Sequence, residues 1–359
     1  MKYSIDTDSN KSAYLQLYLQ LREDIVDNIY KYGTKLPSKR LLAEETGVSV
    51  ITVEHAYAIL CDEGYVEARQ RSGYYVIYRE NDFISIGEKA RNTQATAYHN
   101  SKQDFPFSVL VKIIRKVLSD YGERILIKSP NHGCSELRKA IADYLARSNG
   151  IQVESSQIII GSGAEYLYTL IVQLLGKERV FGLEDPSYDK IRRVYSSLGV
   201  ECDMLKLGGE GIKTAELERT DATVLHITPF NSFPSNVTAD ASKRNEYIRW
   251  AKKRDGYIVE DNYDSELTIS KKHEDTVFSL DADGRVIYLN TFSRTVAPSI
   301  RVGYMILPKA LVDTFTEKLG FYSCTVPVFE QFVLAELIES GDFERHINRI
   351  RRNRRKLVL

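Results

Sequence analysis

The chain has 359 residues, of which 43% are hydrophobic, and its 49 basic side chains balance 49 acidic ones. This length favours two or more domains. The charge balance excludes a global electrostatic attraction to nucleic acid or membrane but leaves local basic patches open. The most apolar long stretch, 158–175, contains Glu165 and Gln173, which argues against a membrane span.

Cysteine and histidine usage predicts a cytoplasmic protein without a metal centre. The N-terminus lacks a signal-peptide pattern, and the six histidines have no metal-ligand spacing. The four cysteines are far apart and are expected to be reduced thiols. These are Cys61, Cys134, Cys202 and Cys324.

The first eighty residues predict a helix, a helix-turn-helix and a two-stranded hairpin. Apolar residues near helical spacing predict a helix over 12–30; they are Leu15, Leu19, Ile25, Val26 and Ile29. Pro37 and Ser38 suit the start of a second helix, for which the expected apolar face is Leu41, Leu42 and Ala43.

A turn and a third helix follow. Gly47 suits the turn and Ser49 the cap of the third helix, which ends at Gly64. Its expected buried stripe is Val53, Ala56, Tyr57 and Leu60. Alternating tyrosines and valines on either side of 71–73 then predict the hairpin, which completes a winged helix-turn-helix layout.

Charge alone does not establish a DNA-binding role for this segment. Residues 1–80 carry ten basic and twelve acidic side chains, a net charge of −2. Cations suited to phosphate contacts are nevertheless clustered locally; they are Lys35, Lys39, Arg40, Arg69 and Arg71. A small three-helix domain without a DNA role remains the alternative on these grounds.

The stretch LPSKRLLAEETGVS…TVEHAYAILCDEGYVEARQRSGYYV resembles the DNA-binding domain of GntR-type bacterial repressors along nearly its whole length. The resemblance implies an operator of double-stranded DNA. The DNA-binding residues that it implies are Ser38, Arg40, Ser49, Thr52, Arg71 and Gly73. Where the family commonly has Ser-Arg at the start of the recognition helix, this chain has Ser49-Val50, so one contact is missing or replaced.

We predict a DNA-binding domain over 1–79, a polar linker over 80–106 and a second domain over 107–359. The second domain alternates helices, among them 135–147, 164–175 and 242–254, with short apolar runs. This alternation predicts an α/β fold with a mainly parallel sheet covered on both faces. The expected strands lie at 157–160, 179–183, 204–207, 223–227, 256–260, 285–289 and 302–307.

Polar groups follow four of these strands, where α/β sheets bind ligands. They are Gly161-Ser-Gly-Ala-Glu165, Glu184-Asp-Pro-Ser-Tyr188, Asp261-Asn-Tyr263 and Ser293-Arg294. Each alone is more simply explained as loop charge or local packing, but four sets in order favour one site. The amides that open a helix at Ala164 could hold a phosphate.

These motifs, with RVIYLNTFSRTVAPSIRVGYMILP, resemble the large domain of fold-type I aminotransferases, which depend on pyridoxal phosphate. The whole chain resembles the MocR subfamily of GntR-type regulators. The resemblance implies that Asp261 pairs with the pyridinium nitrogen, that Tyr263 bonds the ring hydroxyl and that Tyr188 stacks on the ring. For the phosphate it implies Ala164 and Glu165 amides, Ser293 and Arg301.

Arg294 occupies the position of the family's Schiff-base lysine. A guanidinium stays protonated and cannot attack an aldehyde, so we assign no catalytic residue. Glu165 replaces the usual glutamine and residues 230–236 depart from the family pattern. The basic run 345–356 matches a helix that leads into a small domain in the family, and since the chain ends at Leu359 we expect that domain to be truncated or absent.

Three functions follow. The favoured one is a regulator whose aminotransferase-like domain dimerises and senses an effector, with pyridoxal 5'-phosphate or a derivative, such as pyridoxamine phosphate, bound non-covalently. The alternatives are a pyridoxal-phosphate-dependent aminotransferase that also binds DNA, and a scaffold without a ligand. We expect a homodimer and no membrane association.

Overall fold

The structure of the chain is a computed structural model that describes residues 3–6, 11–69, 72–78, 105–268 and 275–358. The chain folds into two compact units. The first comprises Met1–Asn100 with Pro106–Ser119, and the second Ser101–Phe105 with Asp120–Leu359. Most of the predicted linker, together with Arg71, lies outside the described residues.

The first unit contains the predicted winged helix-turn-helix. Ser38 and Ser49 cap their helices through side-chain oxygens that accept from the amides of Leu41 and Thr52, at 3.2 and 3.1 Å. Gly47 adopts a φ of +69° in the turn between the two helices. The elements are α1 (Ala13–Val26), α2 (Lys39–Thr46), α3 (Val50–Asp62), β1 (Val66–Arg69) and β2 (Gly73–Val76).

The core of this unit confirms the predicted buried residues of α3. The predicted buried faces of α1 and α2 are partly wrong. Helix α1 ends at Val26, and it buries Leu17, Tyr18, Leu21 and Ile25. The expected Val26 lies on α1 outside this buried face and is exposed, and Ile29 is exposed after the turn at Asn28, which has a φ of 60°. Leu41, expected in the apolar face of α2, is also exposed.

The second unit alternates strands and helices as expected. Helix α4 (Phe107–Tyr121) precedes the helices of this unit, and most of it belongs to the first unit. They are α5 (Ser135–Asn149), α6 (Ala164–Leu175), α7 (Asp189–Ser197), α8 (Thr214–Arg219), α9 (Ala241–Lys253), α10 (Val277–Leu280), α11 (Lys309–Leu319), α12 (Val328–Glu339) and α13 (Asp342–Val358). Its strands are β3 (Ile158–Gly161), β4 (Phe181–Asp185), β5 (Cys202–Gly208), β6 (Gly211–Ile212), β7 (Val224–Ile227), β8 (Tyr257–Asp261), β9 (Val286–Thr291) and β10 (Gly303–Ile306).

The strands form one mixed sheet in the order β3-β10-β9-β8-β7-β4-β5-β6. The central run from β9 to β5 is parallel, whereas β10 is antiparallel to both neighbours and β6 is antiparallel to β5. Neighbouring residues such as Ile258 and Val259 belong to different apolar clusters. Helices therefore cover both faces, and the predicted α/β fold is confirmed.

The parallel strands bring the predicted ligand residues to one edge. Asp261 ends β8, Tyr188 follows β4, and Ser293 follows β9. Because β8 pairs in parallel with β9, with Asp261 opposite Leu289, these ends lie side by side. Within the described ranges, no helix is long and apolar enough to cross a membrane, and no cluster of side chains could hold a metal ion. The four cysteines are free thiols.

Candidate functional site

A cavity of about 420 Å³ opens at the carboxyl edge of the sheet. Every pocket residue expected from the sequence lines it, including the arginine at the lysine position. These residues are Ala164, Glu165, Tyr188, Asp261, Tyr263, Ser293, Arg294 and Arg301. The cavity thus brings together the four polar sets that the sequence distributes over more than 130 residues.

Asp261 is the buried carboxyl group of this cavity. Its Oδ2 accepts a hydrogen bond from the hydroxyl of Tyr168 at 2.5 Å and lies 3.6 Å from Nε2 of His226. Its Oδ1 is buried and has no hydrogen-bond partner among the described residues. A buried carboxylate oxygen without a donor is costly, so a ligand with an N–H group would complete this site.

Two aromatic side chains frame the cavity. The hydroxyl of Tyr263 donates to the carbonyl oxygen of Asn231 at 3.0 Å, and burial raises the pKa of this phenol to about 12. The ring of Tyr188 is more exposed and meets Phe233 edge to face, with 6.1 Å between ring centroids. Tyr263 therefore stays a neutral donor, while Tyr188 presents an accessible ring face.

The residues expected to hold a phosphate surround the start of α6. Gly163 has a φ of +91°, and a Cβ atom there would lie 3.0 Å from the guanidinium of Arg301. The positive φ favours glycine at this position, and the absence of a Cβ atom leaves room for the guanidinium. The hydroxyl of Ser293 donates to the carbonyl oxygen of Ile300 at 2.9 Å, so it has to turn away from Ile300 to donate to a phosphate oxygen. Helix α6 has no side-chain cap at Gly163.

Glu165 occupies this cradle with its own carboxylate. It forms an ion pair with Arg301, and its other oxygen lies 3.5 Å from the ammonium of Lys190. Burial raises the pKa of Glu165, but its own amide and Arg301 outweigh burial, so the net pKa lies below the ordinary value. The carboxylate is charged at neutral pH and competes with any anionic ligand for Arg301.

Arg294 lines the cavity with a side chain that is partly exposed to solvent. Its guanidinium lies 3.3 Å from Asp264, an aspartate that also pairs with Arg354 of α13 at 3.2 Å. The guanidinium carbon lies 6.0 Å from the ring centroid of Tyr263, and the side chain is 56% exposed. Arg294 thus adds a guanidinium group to the cavity wall.

Sequence reasoning missed several residues of this site, among them Tyr168, His226 and Lys190. Tyr168 lies four positions after Ala164 on α6, so helical spacing could have identified it. His226 is on β7, beside β8, and its Nδ1 lies 2.7 Å from the hydroxyl of Tyr195. Lys190 lines the cavity from α7, although no lysine is near Arg294 in the sequence.

The residues expected to contact DNA lie at the helix starts and the wing of the first unit. Arg40 is exposed on the first turn of α2, and the hydroxyls of Ser49 and Thr52 are 2.8 Å apart at the start of α3. Gly73 begins β2 with a φ of +117°, close to the side chain of Lys35. These assignments stay predictions, and Arg71 lies outside the described ranges.

The sequence pattern described as bacterial regulatory proteins, gntR family, matches residues 13–76. That of aminotransferase class I and II matches residues 97–359. The fold agrees with the second match. A kynurenine aminotransferase from Pyrococcus horikoshii superposes with a TM-score of 0.62 at 24% identity, over 75% of this chain and 73% of its own. The protein therefore joins a winged helix-turn-helix to an aminotransferase-like domain.

Relatives share this whole arrangement. An uncharacterized HTH-type transcriptional regulator of Bacillus subtilis, YdeL, is 34% identical over 96% of this chain and 78% of its own length. The probable rhizopine catabolism regulatory protein MocR of Rhizobium meliloti is 28% identical, over 97% and 76%. The pyridoxine biosynthesis regulator PdxR of Corynebacterium glutamicum is also 28% identical, over 96% and 77%.

The chain belongs to the MocR-type, GntR-family HTH transcriptional regulators, as the sequence resemblance predicted. It is accordingly a DNA-binding regulator that carries an aminotransferase-like domain.

Proposed function

We propose that this regulator senses pyridoxal 5'-phosphate or a derivative, held non-covalently in the cavity of its aminotransferase-like domain. In this proposal residues 1–79 bind the operator, 80–106 form a linker, and 107–359 bind the effector and dimerise. Ligand occupancy then alters the DNA affinity of the homodimer.

The unpartnered Oδ1 of Asp261 carries the proposal. A protonated pyridine nitrogen supplies the single N–H donor that this buried oxygen lacks among the described residues. The hydrogen bond from the hydroxyl of Tyr168 to its other oxygen, with His226 Nε2 3.6 Å from that oxygen, helps to hold the carboxyl group at the cavity wall. Pyridoxal phosphate, when bound, supplies a ring that withdraws electrons from an attached group.

The remaining pocket residues fit the rest of such a ligand. The face of Tyr188 suits stacking on an aromatic ring, and the phenol oxygen of Tyr263, whose hydrogen is donated to Asn231, can accept from a ring hydroxyl. Arg301, Ser293 and the amides at Ala164 and Glu165 combine a cation, a hydroxyl and a helix N-terminus, which are the groups that bind phosphate. This set supports a phosphorylated ligand over an uncharged one.

Arg294 supports binding without a covalent bond. Its side chain is a guanidinium, a cationic group that is not a nucleophile, and it lies beside Asp264. It can neither condense with an aldehyde nor accept a proton from a bound amino acid. The residue can instead attract an anionic substituent of the effector, such as a carboxylate.

An aminotransferase that also binds DNA is the second candidate, and Lys190 is the observation that favours it. This ammonium lines the same cavity as Asp261. However, Tyr188 and then Glu165 raise the pKa of Lys190, which keeps it protonated and therefore a poor nucleophile. We place this candidate second for that reason.

Equilibrium dialysis with pyridoxal phosphate and pyridoxamine phosphate tests the proposal. We expect the wild type to bind both, and Asp261→Asn to lose at least about tenfold in affinity, since it replaces a charged acceptor. Asp203→Asn is the control, because Asp203 pairs with Arg219 and does not line the cavity. Equal affinities for wild type and Asp261→Asn, or no binding by either, would contradict the proposal.

A further inference from the structure

The first turn of α3 exposes two branched apolar side chains. Ile51 is 67% exposed and Val50 is 40% exposed, whereas Val53, Ala56, Tyr57 and Leu60 of the same helix are buried. In helix-turn-helix proteins the N-terminal residues of the recognition helix contact base edges in the major groove. The two exposed side chains are therefore at the position where base sequence is read.

Helix α3 cannot use the commonest contact to a base. Its sequence, VITVEHAYAILCD, contains neither arginine nor lysine. Bidentate hydrogen bonds from these two residues to guanine are the most frequent specific contacts in the major groove. Helix α3 therefore cannot recognise guanine through a bidentate arginine or lysine contact.

The polar side chains near Ile51 are engaged within the unit. The hydroxyls of Ser49 and Thr52 bond each other, and Glu54 forms an ion pair with Lys39 at 2.8 Å. The ring of His55 meets Tyr14 edge to face, 5.6 Å between centroids. Base contacts by Ser49, Thr52 or Glu54 would compete with these interactions, whereas apolar readout leaves them intact.

We infer that Val50 and Ile51 read thymine through its C5-methyl group. This methyl is the apolar group that a base pair presents in the major groove, and contact with it distinguishes thymine from the other bases. Burying one methyl group away from water increases affinity about fourfold. The inference concerns base selection, so it goes beyond the proposed ligand and does not depend on it.

Replacement of thymine by deoxyuridine, which lacks only the methyl, tests the inference directly. Sites are first selected from a random-sequence DNA pool with the full chain, and each thymine is then replaced in turn. We expect at least one thymine in each half-site at which uracil lowers wild-type affinity about fourfold. A selected site at which no uracil replacement weakens binding would overturn the inference.

Variants test whether α3 causes the loss of affinity at uracil. Ile51→Ser should lose the uracil penalty, because its side chain no longer covers the methyl. Ile29→Ser is the matched control, since Ile29 is 56% exposed but lies outside α3, and it should keep the full penalty. An unchanged penalty in both Ile51→Ser and Val50→Ser would also overturn the inference, and the uracil series on the wild type decides the question if a variant fails to bind DNA.

Discussion

The carboxylate of Glu165 pairs with the guanidinium of Arg301 at the start of α6. A ligand phosphate would require the same guanidinium and the same helix amides. Since the net pKa of Glu165 lies below its ordinary value, the competing charge is present at neutral pH. Glu165 must therefore leave Arg301 when a phosphorylated ligand binds, and Lys190, 3.5 Å from its other oxygen, is the neighbouring cation that remains to pair with it.

Glu165→Gln should bind pyridoxal phosphate on the order of tenfold more tightly, because it removes a negative charge that repels the phosphate. Affinity for pyridoxal, which lacks the phosphate, should not change. Calorimetric titration measures both. Asp189→Asn is the control, since Asp189 pairs only with Arg192 and Arg193 among the ion pairs described for it and is absent from the cavity wall. Equal gains for both variants would show a general charge effect instead.

Arg294→Lys should acquire a covalent bond to pyridoxal phosphate that borohydride traps. A lysine amine can lose its proton and condense with an aldehyde, whereas a guanidinium does not. The measurement is the intact mass after reduction, with peptide mapping to position 294. Arg354→Lys is the control, because Arg354 also pairs with Asp264 but does not line the cavity. An adduct on Arg354→Lys alone would contradict the assignment of position 294.

Much of the second unit follows from its sequence because buried parallel strands are continuous apolar runs bounded by polar loops. Each expected strand is present, and Ala164 to Leu175 forms the helix expected at those residues. Strand order and the antiparallel placement of β10 and β6 depend on long-range pairing, which local periodicity does not encode. The same holds for Lys190, which tertiary packing brings to the cavity.

Helix α1 illustrates a different failure. Several apolar residues are available at near-helical spacing, and the buried face uses Leu17 and Leu21 where Leu15 and Leu19 were expected. When a segment is apolar on more than one side, periodicity alone does not choose the face that packs. The pairing of Glu165 with Arg301, 136 positions apart, was likewise beyond sequence reasoning, which identified only a repulsive carboxylate.

Arg40→Ala should weaken DNA binding uniformly across sequences and reduce the slope of log affinity against log salt by about 1. Arg40 is exposed at the start of α2, where a guanidinium suits a phosphate contact. Filter binding at several salt concentrations gives the slope. Arg22→Ala serves as the control, because Arg22 lies on α1 against Tyr18. An unchanged slope in Arg40→Ala would remove this residue from the DNA contacts.

Stability of the second unit should fall as pH rises from about 4.5 to about 7, in part through Glu184. Burial raises the pKa of Glu184 from 4.5 to about 7, although hydrogen bonds from Ser232 and Thr228 oppose the shift. The folded state therefore holds a proton that the unfolded state has lost, and this stabilisation disappears above the folded pKa. The contribution is roughly 1 to 3 kcal/mol.

Glu184→Gln mimics the protonated side chain and should gain stability relative to wild type between pH 5 and pH 8. Urea unfolding followed by Trp250, the single tryptophan, reports on this unit. The exposed Glu154→Gln is the control, because Lys309 lowers the pKa of Glu154 and its titration lies below this window. A constant difference between Glu184→Gln and wild type across the window would refute the assignment.

The most direct test of non-covalent ligand binding is the intact mass of the wild-type protein after saturation with pyridoxal phosphate and reduction with borohydride. Dialysis of a parallel, unreduced sample measures occupancy before and after removal of the ligand. We predict about one ligand bound per chain, complete release on dialysis and an unchanged mass. A mass increase that maps to Lys190, or to another lysine of the cavity domain, would contradict the account.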